Sequence, residues 1–112
     1  MDKFAIFSFN GNLMCFVHVL LNVLDLDSKG IEVKLVIEGE SVKLVKELEE
    51  TENKLFAQVK ERKLVDIICK ACSTKMGVLA DNEKTGIPVG GDMSGHPAMS
   101  EYIQKGYQII TL

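Results

Sequence analysis

Short apolar runs rich in β-branched and aromatic residues alternate along this chain with longer segments whose apolar positions recur at helical spacing. Lys3 to Ser8 (KFAIFS) is the first β-type run, and it stops at Asn10-Gly11, a pair suited to a sharp turn. From Asn12, a fitting N-cap, the run LMCFVHVLLNVLDLD reads as a helix on which Cys15, His18, Asn22 and Asp25 share one face, the rest being apolar. So narrow a polar stripe predicts that another helix or a second subunit covers part of this helix. Gly30 resets the chain, and Ile31 to Ile37 (IEVKLVI) is the second strand. Ser41 is placed to cap a helix carrying Val42, Val45 and Leu48, and a second stripe follows at Leu55, Phe56 and Val59. The all-polar Glu49 to Asn53 between the two stripes predicts two helices with a kink or loop. Leu64 to Cys69 reads as the third strand, with a helix from Cys72 to about Ala80. Asp81 to Gly95 holds four of the nine glycines and reads as one long loop, with a short strand at Ile87-Pro-Val89. Pro97 opens a helix through Met99, Tyr102 and Ile103 that stops at Gly106, and Tyr107 to Thr111 is the last strand.

Strands alternating with helices imply right-handed crossovers and a three-layer α/β/α architecture around a mainly parallel sheet of about five strands. A length of 112 residues predicts one domain, 1–112, able to bury its own core. Composition adds mostly exclusions. Net charge is −3 and the lysines are mixed with glutamates, so no basic stripe exists to neutralise phosphates, and nucleic acid is not an expected partner. The start shows no secretory pattern, and the most apolar run, Leu13 to Leu24, is too short to span a bilayer. Three cysteines, an odd number, point to a reducing cytoplasm and to reactive, ligating or buried thiols rather than a disulfide frame.

In open parallel sheets ligands bind beyond the carboxyl ends of the strands, which here collects Asn10, Glu38, Cys69, Cys72, Asp92 and His96, with Cys15 one turn into the first helix. Cys69 lies where a strand meets a helix N-terminus, with Lys70 and Lys75 nearby, an arrangement that predicts a stabilised, nucleophilic thiolate. The Cys69-Lys-Ala-Cys72 pair has three readings: a dithiol switch, part of a metal site, or two packed thiols. A zinc site would need Cys69, Cys72, His96 and either Cys15 or Asp92, and without a second CxxC the expectation is no metal and no other cofactor. His96 is placed to orient or deprotonate a thiol, or simply to serve as a loop residue beside Pro97. The flexible Gly90-Gly91-Asp-Met-Ser-Gly95 is neither a Walker pattern nor a dinucleotide fingerprint, yet it leaves open a noncatalytic module binding a small anion, nucleotide or metal.

The stretch Ile67-Ile-Cys69-Lys-Ala-Cys72-Ser-Thr-Lys-Met-Gly77-Val78, the opening Phe4-Ala-Ile-Phe7 strand with its Ser8-Phe-Asn-Gly11 turn, and the closing Gly106-Tyr-Gln-Ile-Ile110 together resemble the DsrE/DsrF-like family of small sulfur-relay proteins. The resemblance implies a flavodoxin-like α/β subunit in a cytoplasmic homo-oligomer, with sulfur donor and acceptor proteins as partners; the broad apolar face of Leu13 to Leu26 predicts a trimer or hexamer, with a dimer as the fallback. In the family register Cys69, eight residues before Gly77, takes the sulfur-carrying position. It would accept sulfane sulfur as a persulfide, as a sulfurtransferase-like carrier does, and an exposed strand-end thiol would be within reach of a partner's cysteine. Cys72 departs from a pure carrier, because it would let the persulfide resolve to a disulfide with release of sulfide.

Overall fold

The computed structural model describes residues 2–112. β1 (Lys3–Ser8) leads into α1 (Leu13–Ser28), whose first turn is capped by Asn12 Oδ1 accepting from the Cys15 N–H at 3.0 Å. β2 (Glu32–Ile37) follows, then a 3-10 turn (Gly39–Lys43), α2 (Leu44–Glu50) and α3 (Lys54–Glu61). β3 (Val65–Cys69) runs directly into α4 (Lys70–Lys75), after which come α5 (Leu79–Glu83), the two-residue β4 (Val89–Gly90), α6 (Met99–Gln104) and β5 (Gln108–Thr111).

All five strands are parallel, in the order β4-β3-β2-β1-β5. Crossovers of one hand that step repeatedly in one direction stack their helices on one face of a sheet. The steps from β1 to β4 do this, and α1 to α4 pack with Ile6, Val33, Leu35, Ile37 and Ile68 in one large core, joined by Val78 just before α5. The final connection returns past β2 and β3 to the far side of β1, so α6 lies on the opposite face, where Tyr102 and Tyr107 pack against Ala5, Phe7 and Val36. Tyr102 donates to Asp66, which also pairs with Lys34 at 3.1 Å, and Tyr107 donates to Glu32. The three-layer α/β/α expectation is met with unequal layers.

Three local expectations are corrected. Ser41 caps no helix: it is fully buried in the 3-10 turn, where its hydroxyl donates to the Asn10 carbonyl at 2.6 Å and lies 2.8 Å from Ser8 Oγ. The helix expected from Cys72 to Ala80 starts at Lys70 and is broken in two, because Gly77 adopts φ +73 and turns the chain before α5. Asp81 to Glu83 therefore belong to a helix, not to the long loop. The expected break between the stripes after β2 falls at Thr51-Glu52, and Asn53 caps α3 by accepting from Phe56 N–H at 3.0 Å.

On α1 the inward face buries Phe16, Val19, Leu20, Val23 and Leu24, while Met14 and Leu21 remain 74% and 45% exposed beside Cys15, His18 and Asn22. Adjacent leucines on one helix thus differ sharply in environment. Leu20→Ala is expected to cost about 2–5 kcal/mol through lost contacts and a residual cavity, and Leu21→Ala about 0.5 kcal/mol or less. Urea unfolding of both variants, with unchanged m-values, checks the difference.

Candidate functional site

Cys69 is the last residue of β3 and the N-cap of α4, its Sγ accepting from the Cys72 N–H at 3.3 Å. The junction is held from within the protein. Ser73 Oγ donates to the Cys69 carbonyl at 2.7 Å and accepts from Asn82 Nδ2 at 2.9 Å, and the same amide donates to the Val42 carbonyl at 3.1 Å. This buried chain ties α4 and α5 to the 3-10 turn that follows β2. Nothing in the sequence signals it: Ser73 reads as an ordinary helix residue and Asn82 falls in the expected long loop.

The glycine-rich segment after β4 folds back over the junction. Met93 and His96 exchange backbone hydrogen bonds of 2.9 Å each, and the Ala71 N–H of α4 donates to the Gly95 carbonyl at 3.0 Å. The segment therefore delivers His96 rather than forming an open anion cradle, and it uses up an N-terminal donor of α4. Gly91 makes the return possible: at φ +140, a Cβ there would stand 2.2 Å from the His96 carbonyl carbon and 2.6 Å from Pro97 N.

These elements bring together Cys69, Cys72, His96 and, from the carboxyl end of β2, Glu38. His96 Nδ1 lies 3.1 Å from Cys69 Sγ, 3.7 Å from Cys72 Sγ and 3.6 Å from Glu38 Oε1. Cys69 and Glu38 are buried, while Cys72 and His96 are partly exposed. Three other expected contributors lie elsewhere. Asp92 is exposed on the loop. Asn10 accepts from the Asn12 N–H at 2.7 Å, and with Cys15, His18 and Asn22 it lines a separate cavity of about 380 Å³ beside Leu112. That cavity sits where the strand order reverses, between β1 and β5.

The expectation of an exposed, ready thiolate at Cys69 is overturned. Cys69 is 0% exposed, and burial pushes its thiol up to about 12, with the neighbouring Cys72 and the Glu38 carboxylate adding to the shift. The Cys72 N–H acts the other way and is outweighed. A six-residue helix whose first donors are already engaged offers little to offset desolvation. Burial likewise raises the Glu38 carboxyl, against the opposing influence of His96 and of hydrogen bonding from Cys69. Chemically, the cluster is a protonated thiol beside an imidazole nitrogen able to take its proton, with a second thiol adjacent.

Residues 13–112 match the model of the DsrE/DsrF-like family. An uncharacterized protein of Methanocaldococcus jannaschii is 32% identical over 97% of this chain and 93% of its own length. An uncharacterized protein of Archaeoglobus fulgidus is 46% identical over a 39-residue stretch, 35% of this chain and 64% of that one. A conserved protein of unknown function from Bacteroides thetaiotaomicron superposes with a TM-score of 0.72 over 99% of this chain and 95% of its own, at 21% identity, a likeness of fold.

Gly91→Ala is expected to displace the His96 backbone and expose the thiol beneath it. Alkylation of Cys69, followed by peptide mass mapping, should speed up by at least about tenfold, the effect of losing roughly 1.4 kcal/mol of local closure. Gly86→Ala, where a Cβ meets nothing within 4 Å, should leave the Cys69 rate unchanged although its φ of +84 strains the turn.

Proposed function

The chain belongs to the DsrE/DsrF-like family, and from that membership and the thiol cluster we propose that it carries sulfane sulfur as a persulfide on Cys69. The observation that supports this most directly is the Cys69 Sγ to His96 Nδ1 separation of 3.1 Å, with Cys72 at the same strand end. His96 takes the thiol proton as the donor approaches, so that a nucleophile forms only when it is used. The Cys69 sulfur attacks the terminal sulfur of a donor R–S–SH, the donor S–S bond breaks, and R–S⁻ leaves and recovers a proton. The products are R–SH and Cys69–S–SH. An acceptor thiolate attacking the outer sulfur then regenerates Cys69 and carries the sulfur away.

Because Cys69 is buried under the loop bearing His96, the donor reaches it when that loop moves aside; Cys72 and His96 mark the side of approach. Cys72 gives the site a second outcome. Attack of its thiolate on the inner sulfur of Cys69–S–SH yields the Cys69–Cys72 disulfide and sulfide, and a dithiol reductant must then restore both thiols before the next cycle.

Intact-protein mass spectrometry after incubation with a small-molecule persulfide is the test. Wild type should gain one sulfur, Cys69→Ser none, and Cys72→Ser should accumulate the gain because it lacks the resolving thiol. Labile sulfur on Cys69→Ser equal to wild type would overturn the assignment. The adjacent pair also supports redox switching, read separately: mild oxidation without a sulfur donor should remove two hydrogens from wild type and none from either single serine variant.

A further inference from the structure

Glu38, Cys69, Cys72 and His96 present a carboxylate oxygen, two Sγ atoms and Nδ1, all within 4.8 Å of one another. Zinc bonds of about 2.3 Å to sulfur and 2.0–2.2 Å to nitrogen or oxygen, arranged tetrahedrally, require ligand-to-ligand edges of roughly 3.4–3.8 Å. The edges from His96 Nδ1 are 3.7 Å to Cys72 Sγ, 3.6 Å to Glu38 Oε1 and 3.1 Å to Cys69 Sγ. Two already fit and the third needs to open by about 0.5 Å.

Charge points the same way. The Glu38 side chain is only 8% exposed, and among the described residues its one ion-pair neighbour is His96. Two thiols share that pocket with it, and no lysine or arginine lies within ion-pair distance of the carboxylate among the described residues. A buried carboxylate beside two thiols, with no fixed cation against it, is a donor set that a divalent ion satisfies all at once. The four donors are also held in advance by separate elements: Glu38 by the end of β2, Cys69 and Cys72 by the Ser73–Asn82 chain, and His96 by its paired bonds to Met93. The Cys72 N–H directed at Cys69 Sγ is the kind of outer hydrogen bond that supports a metal-bound thiolate.

We propose that the reduced protein binds one divalent, borderline-soft metal ion of the zinc type through Glu38, Cys69, Cys72 and His96. Glu38 takes the place that sequence reasoning gave to Cys15 or Asp92. Binding displaces the two thiol protons to solvent and changes no oxidation state. This proposal does not rest on sulfur carriage: the ion and a carried sulfur atom compete for the same Cys69 sulfur.

The test is titration of the full-length, phosphine-reduced, chelator-stripped protein with cobalt(II) and then zinc(II) chloride, with no sulfur donor present. Expected are saturation at one equivalent, tetrahedral visible bands with a thiolate-to-cobalt charge-transfer band, and loss of both on adding one equivalent of zinc. Glu38→Gln should weaken zinc binding by more than about tenfold, the scale at which even supporting residues of such sites matter. Cys69→Ser and Cys72→Ser should lose the charge-transfer intensity in part, and Cys15→Ser should match wild type. An octahedral spectrum without a thiolate band in wild type, which requires no variant to fold, would overturn the proposal. So would unchanged affinity in the Cys69→Ser/Cys72→Ser double variant. Because sulfur acquisition is measured separately on metal-free protein, either reading can fail while the other stands.

Discussion

The return of the chain from one edge of the sheet to the other is the constraint on which the site depends. After β4 the polypeptide must reach β5 on the far side of β1, and it begins that journey above the carboxyl ends of β3 and β2. Gly91 permits the turn, the Met93–His96 pair tightens it, and the Gly95 carbonyl is fastened to the first turn of α4. An imidazole is thereby set over two thiols that β3 and α4 supply. Without the crossing segment, Cys69 would be an open strand-end cysteine; with it, the same residue is dry and protonated.

That dryness alters the character of the sulfur. A thiol at a helix N-terminus is usually discussed in terms of dipole stabilisation, yet here the dipole belongs to six residues, one of its donors is spent on Gly95, and a carboxylate stands close by. Desolvation and neighbouring negative charge outweigh the single N–H that favours the thiolate. Reactivity at such a centre is conditional. It waits for a proton acceptor, for an ion, or for the loop to open, and unpartnered oxidants meet a thiol in place of a thiolate.

Much of this architecture is legible in the chain because β-branched runs and helical stripes are local signals. β1, α1 and β3 fall within a residue or two of where the periodicity puts them. The membership of the site is less legible, since it depends on strand order. Glu38 reaches the thiols because β2 is the neighbour of β3, whereas Asn10 and Cys15 follow β1, a further strand away, at about 4.8 Å per strand. His96 and Asp92 are four residues apart on one loop, and only the backbone turn at Met93 decides which faces the pocket. The Ser73–Asn82 chain leaves no trace in hydrophobic pattern at all, because buried polar residues in short helices look like surface ones.

β1 occupies an unusual position in time as well as in space. It pairs on one side with β2, about thirty residues on, and on the other with β5, as in Phe4 beside Val33 and Gln108. The first pairing closes a short loop and the second nearly the longest the chain allows, so closing β5 onto β1 costs more, by roughly 1 kcal/mol. The α1-side core can therefore assemble around β1 to β3 while α6 and β5 are still unformed. In the native protein the same inequality makes α6 and β5, with their smaller cluster around Phe7, Tyr102 and Tyr107, the natural unit of partial unfolding. Such an opening would pull on the strand-crossing segment that holds His96, linking the smaller of the two cores to the closure of the thiols.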